Sequence, residues 1–155
     1  MRKTLQVLAP AGGWPQLEAA VQNGADAVYL GLCQFNARAR AENFSHDTLQ
    51  DAVAFCHARG VRVFVTVNVL IFEQELPAIE EHLRRIAAAG ADAIIVQDLA
   101  VVQIARRLAP NLPVHGSTQM SITSGVSLAG PSEVGADHVC KSTVRSLCVD
   151  TAAPS

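Results

Sequence analysis

Arg38 and Arg40 lie in a long connection between Gly31 and Phe44, two residues apart. A guanidinium presents a rigid fork of donors that matches a carboxylate or a phosphate, so the pair could clamp a small anion. The alternative is two solvated arginines on a surface loop. Further along, polar residues follow apolar runs three times. Thr66 and Asn68 close one run, Gln97 and Asp98 a second, and His115 through Gln119 a third. Asn68 could orient a ligand or satisfy loop backbone groups. Asp98 is placed equally well for a helix N-cap and for a substrate contact. Gln97 has no capping role, which favours it as a ligand contact. His115 could move a proton or be held by hydrogen bonds in a rim. Gln119 joins the candidate binding residues as a third amide. No Ser-His-Asp or Cys-His spacing is legible, so the residues themselves give no protease nucleophile.

What must position these residues is a series of short apolar strands, each followed by a polar connection. Leu5–Leu8 reads as a strand closed by Ala9-Pro-Ala-Gly-Gly13, a stretch that offers Pro10 and Gly12 to the same end of the molecule. Trp14-Pro15 opens a helix, since proline suits a first turn, and Gly24 ends it. Ala27–Leu30 follows as a strand, continuous in apolar character as a covered parallel sheet requires. Ser45 is an N-cap for a helix with Leu49, Val53 and Cys56 on one face, and Gly60 stops it. Val61–Val67 is rich in β-branched residues and is the clearest strand. Leu76, Ile79, Leu83 and Ile86 mark an amphipathic helix, Ala93–Val96 a strand, Val101 to Leu108 a helix, and Leu112–His115 a short strand. His46, His57 and His82 fall on helices as surface positions. Cys33 and Cys56 serve as small apolar fillers.

The phrase Gly24-Ala-Asp26 recurs as Gly90-Ala-Asp92 and again as Gly135-Ala-Asp137. Each copy stands where a helix ends and a strand begins, the signature of alternating β/α units. No glycine-rich dinucleotide loop follows the first strand, which favours a barrel over a nucleotide-binding sheet. A complete barrel needs about eight units and about 250 residues, and this chain has 155. The expected fold class is therefore α/β: a partial TIM-type (β/α) barrel of about five to six parallel units, unclosed, with an irregular C-terminal tail. Residues 1–139 form the partial barrel. Residues 140–155 form an irregular or disordered tail, in a last quarter that holds twelve of the sixteen serines and threonines. Open strand edges and a bare inner face would favour self-association.

Half of the residues are hydrophobic and the net charge is −2. That balance gives no global electrostatic case for nucleic acid or membrane binding, although a local basic patch remains compatible with it. No apolar run is long enough to span a membrane, and no signal peptide follows Met1-Arg2-Lys3. Cys33, Cys56, Cys140 and Cys148 form no CxxC pair, so reduced thiols in a cytoplasmic protein are expected.

Several separated motifs, in order, resemble the peptidase U32 family. They are Leu8-Ala-Pro-Ala-Gly12, Gly24-Ala-Asp-Ala-Val-Tyr-Leu-Gly31, Phe35-Asn-Ala-Arg-Ala-Arg40 with Asn43-Phe44, Val65-Thr-Val-Asn68, Ile95-Val-Gln-Asp98 and His115-Gly-Ser-Thr-Gln119. The resemblance implies the N-terminal barrel of a longer protein. Its relatives are collagenase-like proteases by name. Better-understood members are similar to prephenate-associated, oxygen-independent hydroxylases of tRNA, ribosomal RNA or the ubiquinone ring, and the family commonly carries an iron–sulfur cluster on cysteines. The wording around Gln97-Asp98 and Ser117-Thr-Gln119 is most similar to the ribosomal RNA branch. The downstream cysteine segment of the relatives has no counterpart, because Cys140 and Cys148 do not match it. The expectation is a truncated barrel, inactive as a hydroxylase by itself and without a cofactor of its own. Its mouth would carry His115 as the catalytic residue, with Arg38, Arg40, Asn68, Gln97, Asp98 and Gln119 binding a small anionic co-substrate and RNA. A U32-type peptidase and a non-enzymatic half-barrel scaffold are the alternatives.

Overall fold

The computed structural model describes residues 6–37 and 43–120, and the backbone of residues 138–141 and 147–150. The elements alternate as β1 (Leu8–Ala11), α1 (Trp14–Gln22), β2 (Ala27–Gly31), α2 (His46–His57), β3 (Arg62–Val67), α3 (Leu76–Ala88), β4 (Ala93–Val96), α4 (Leu99–Leu108) and β5 (Val114–Gly116). Two further strands, β6 (His138–Lys141) and β7 (Leu147–Asp150), complete one sheet with its strands in chain order. Pairing is parallel from β1 to β6 and antiparallel between β6 and β7. Among the described residues β1 and β7 do not pair, so the barrel is partial and unclosed.

The alternation of side chains along a strand divides the interior in two. Val28, Leu30, Val63, Val65, Ile94, Val96 and Val114 meet the helices and join Leu17, Leu49, Ile79, Leu83 and Ile86 in the main core. Burying each large aliphatic side chain contributes about 1.5–3 kcal/mol. Ala27, Phe64, Ala93 and Ile95 form a second, smaller cluster with Leu8 and Tyr29 on the other face of the sheet. That face is the concave inside of the partial barrel.

The repeated Gly-Ala-Asp phrase has a mechanical explanation. Gly24 and Gly90 adopt φ of +84° and +83°, the left-handed turn that ends a helix cheaply only at glycine. Ala25 and Ala91 are buried. The aspartate then accepts a hydrogen bond from the neighbouring strand: Val7 N–H donates to Asp26 Oδ2 at 2.7 Å, and Val63 N–H to Asp92 Oδ2 at 2.7 Å. Asp92 also pairs with His57 Nε2 at 2.8 Å. The phrase therefore pins the amino-terminal ends of the strands, opposite their carboxyl ends. Asp92→Ala leaves the Val63 amide without this acceptor and is expected to cost about 1–2 kcal/mol, read as a lower midpoint in urea unfolding; an unchanged midpoint contradicts this role.

Several expectations shift. The first strand is Leu8–Ala11 rather than Leu5–Leu8, so Ala9-Pro10-Ala11 is strand and not loop. Pro10 is tolerated because β1 is an edge strand, where a missing N–H costs no inner ladder bond. The fifth strand is Val114–Gly116, two residues later than its apolar residues suggest, because Pro113 uses its carbonyl, and no N–H, to pair with Ile94. His82 is not a surface residue but 2% exposed, and His46 is half-buried against it. Cys33 is exposed, not a core filler, whereas Cys56 is fully buried. Cys140, Lys141 and Leu147–Asp150, placed in the irregular tail by sequence, belong to strands. The remainder of residues 142–155 lies outside the described residues.

Candidate functional site at the carboxyl ends of the strands

Strand register puts one row of positions side by side across the sheet: Gly31 beside Thr66, Thr66 beside Ile95, Ile95 beside His115, and His115 beside His138. This row lies at the carboxyl ends of the strands, where β/α barrels collect their chemistry. The side chain of Thr66, 9% exposed, faces the loop after β2. Its Oγ1 donates to the Leu30 carbonyl at 3.1 Å and lies 3.4 Å from Asn36 Oδ1. His115 is 7% exposed and packs edge-on against Phe64, with ring centroids 4.9 Å apart. An imidazole held at a strand end, on the concave face, can exchange a proton with a ligand seated over the row.

Asn68 follows β3 by one residue, is half-buried, and accepts the Ala37 N–H at 3.2 Å. Its carbonyl thus satisfies the loop backbone, the second of its two sequence-level roles. Gln97 follows β4 by one residue and is half-buried. Two residues beyond Ile95, it keeps the inward phase of the strand. Asp98 caps α4, with Oδ1 accepting from Ala100 N–H at 2.8 Å. Its Oδ2 accepts from Ile71 N–H at 3.0 Å, so both oxygens tie α4 to the connection after β3. Ser117 is buried, donates its N–H to the Val96 carbonyl at 2.7 Å, and accepts the Gln119 N–H on Oγ at 3.2 Å. Gln119 itself is exposed at the rim. Arg38 and Arg40 lie outside the described residues.

Asn36 and Phe64 belong to this site although their residue types alone did not single them out, whereas Ser117 lies within the run His115 through Gln119 already marked in the sequence. The available signal for Asn36 was its place in Phe35-Asn-Ala-Arg38, immediately before the arginines. Phe64 gave none, because an aromatic in an apolar strand reads as core.

A cluster-binding role does not fit the cysteines of the described barrel. Cys56 is buried on α2, where desolvation pushes its thiol up to about 11, while Cys33 is exposed on the loop after β2. Among the described residues no group of three or more His, Cys, Asp or Glu side chains could hold a metal ion. Nor is any described helix long and apolar enough to cross a membrane.

The chain is 34% identical over 137 residues to the tRNA hydroxylation protein P1 of Bacillus subtilis, a match that covers 88% of this chain and 32% of that protein. It is 34% identical over 131 residues to the 23S rRNA 5-hydroxycytidine C2501 synthase of Escherichia coli, covering 84% of this chain and 19% of the synthase. The chain thus spans a third or less of the curated relatives it matches. Among solved structures, that of the U32 peptidase Mk0906 superposes with a TM-score of 0.68 at 14% identity, over 89% of this chain and 58% of that one. The fold is therefore that of a TIM-type barrel. The family model for peptidase family U32 matches residues 12–148, nearly the whole chain, and the chain belongs to that family.

Proposed function

We propose that this chain is the N-terminal barrel portion of a cytoplasmic RNA base hydroxylase system, and that its strand ends hold a small anionic co-substrate close to an RNA base. The observation that carries the reading is the row Gly31–Thr66–Ile95–His115 with Asn36, Asn68 and Gln97 beside it, in a chain similar to proteins named for tRNA and 23S rRNA hydroxylation. His115 serves proton transfer. Arg38 and Arg40 supply the charge that the anion needs, and Gln97, Asn68 and Gln119 supply directional hydrogen bonds. Asp98 acts on the site by fixing the first turn of α4 and the connection after β3. With the net charge at −2, RNA attraction rests on local arginines and not on the whole surface.

Two results test this. In a strain lacking its own tRNA hydroxylation protein, nucleoside mass spectrometry should find no restored hydroxylation when only these 155 residues are expressed; restoration overturns the proposed division of labour. Filter binding of tRNA to the purified chain should be salt-sensitive and weaken for the Arg38→Ala, Arg40→Ala double variant; equal binding by the variant removes the arginines from the site. Peptidase activity, the alternative that the family name carries, requires gelatin hydrolysis that survives iron chelation. The scaffold alternative requires a stoichiometric complex with a complementary chain. Self-association through the open sheet is part of the proposal, and light scattering should find oligomers at micromolar concentration. A strict monomer with a sharp, cooperative melt contradicts that part.

A further inference from the structure

Two histidines from different helices meet beside the loop after β2. His46 opens α2, directly after its cap Ser45, and His82 lies within α3. His46 Nε2 and His82 Nδ1 share a hydrogen bond of 3.0 Å, with the rings edge-on at 4.7 Å. Whichever ring donates, the outer nitrogens, His46 Nδ1 and His82 Nε2, stay buried without a partner among the described residues. In the neutral pair one of these is a lone pair and the other an N–H. A proton added there is charge in a site with no water, and every neighbour bears on it. Burial opposes it first at both rings, holding His82 down to about 4. The guanidinium of Arg85 on α3 opposes it too, and the N-terminal end of α2 is a poor place for a cation. Asp47 on α2 and Glu81 on α3 favour a charge on His46, but both carboxylates are largely exposed, and Asp47 is 3.9 Å from Arg85. From the loop after β2 comes Phe35, whose ring meets His82 edge-on at 5.0 Å. Phe35 holds a φ of +55°, which bulky residues adopt only when their surroundings demand it. The next two residues reach the ligand row: Asn36 Oδ1 lies 3.4 Å from Thr66 Oγ1, and Ala37 N–H donates to Asn68 Oδ1 at 3.2 Å.

We infer that His46, His82 and Phe35 form a proton-sensitive clasp: the neutral histidine pair seats Phe35 and so holds residues 35–37 against the end of β3, and proton uptake releases them. One added proton makes a buried imidazolium, and a second sets two N–H donors face to face across the pair. Opening the rings to water relieves both. Phe35 covers His82 and is held in a strained backbone conformation, so its departure wets the imidazole and relaxes the chain together. Asn36 and Ala37 follow Phe35, and their contacts to Thr66 and Asn68 are lost with it. The opened form binds the proton more tightly, because wetted His82 returns towards 6.5, so opening grows as the pH falls below that value. Any buried histidine weakens a fold in acid; the clasp adds a local opening at one edge of the row while the rest stays folded. Its effect on a ligand rests on the proposed mouth, whereas the clasp itself does not.

Native-state hydrogen exchange at the Ala37 amide, at pH 7 and pH 5 and over a range of low urea concentrations, reads the clasp directly. Rates are divided by the intrinsic rate at each pH, and exchange that does not respond to urea marks local rather than global opening. In the parent chain the protection of Ala37 should fall on the order of tenfold between pH 7 and pH 5, in the urea-insensitive exchange. His82→Leu removes the proton site, and its Ala37 protection should change by less than about twofold over the same range. Phe35→Leu keeps both histidines but breaks their ring contact with the loop, and it should flatten the Ala37 response likewise. Protection that does not change with pH in the parent, or that changes as much in His82→Leu, overturns the inference. So does a response confined to urea-sensitive exchange, which is acid destabilisation of the whole fold. Should His82→Leu fail to fold, Phe35→Leu decides: a parent-sized response that survives there removes Phe35 from the clasp and overturns it. No ligand enters the measurement, so failure of the clasp and failure of the mouth are read separately.

Discussion

Acidification from pH 7 to below pH 4 is expected to destabilise the chain by about 3 kcal/mol through His82 alone. His82 lies on α3 at 2% exposure, and its Nδ1 shares a 3.0 Å hydrogen bond with His46 Nε2 at the start of α2. Burial holds its pKa down to about 4, assisted by His46 and by the guanidinium of Arg85. His46 shifts the same way, mainly by burial and then by Arg85, opposed by Asp47 and Glu81. In the unfolded chain His82 returns to about 6.5 and takes up a proton that the folded chain refuses. Stability is therefore full above about pH 7, falls as the pH passes below 6.5, and reaches its floor near pH 4. The penalty belongs to a buried nitrogen with nowhere to place a charge, since His82 Nε2 has no hydrogen-bond partner among the described residues. Urea unfolding at pH 7 and at pH 4.5 measures it. His82→Leu should lie close to the parent at pH 7 and become the more stable of the two at pH 4.5. Parallel loss of stability in both chains contradicts the assignment to His82.

Gly31→Ala is expected to be strongly destabilising, at about 3 kcal/mol from forced repacking and lost hydrogen bonds. The new Cβ would overlap Asn36 Nδ2 at 1.9 Å, so the Asn36 side chain must leave its site. Its departure deprives Thr66 and Asn43 of a partner and frees the loop after β2. Glycine is needed here for space, not for backbone conformation. The contrast is Gly12, where a Cβ meets nothing within 4 Å. Gly12→Ala should leave the thermal midpoint within a degree or two of the parent, while Gly31→Ala should lower it by about 6–12 °C. Equal midpoints for the two variants contradict the packing described for Asn36.

The β/α order was legible because periodicity, caps and helix stops agree locally. Ser45 does cap α2, its Oγ accepting the Thr48 N–H at 3.1 Å, and Asp98 does cap α4. Gly24, Gly60 and Gly90 all take the positive φ that a helix-ending glycine suggests. Pro10 misled, because proline signals a turn unless its strand is known to be an edge, and edges are set by tertiary order. His57 is exposed as expected, but His46 and His82 misled for a related reason. His82 shares a face with Ile79, Leu83 and Ile86 on α3, and only the approach of His46 and Phe35 from other elements gives it a buried polar partner. At the site, Asn68, Gln97, His115 and Gln119 do lie where strand ends place them. What residue type could not reveal was division of labour. Asn68 and Asp98 spend carbonyl and carboxylate oxygens on neighbouring backbone, while Asn36, unremarkable in sequence, is packed against the glycine that makes room for it.

The chain matches a third or less of the proteins named for RNA hydroxylation, and the two ends of its strands are built differently. Asp26 and Asp92 tie down the amino-terminal ends of the strands, and the polar residues gather at the other. Chemical-shift mapping of the isotope-labelled chain during titration with tRNA, followed by malonate, separates these faces in one experiment. A mouth that binds RNA and a small anion requires shifts at Asn36, Asn68, Gln97, His115 and Gln119, with Asp26 and Asp92 silent. Shifts confined to the Asp26 and Asp92 end, or none at either end, would contradict it.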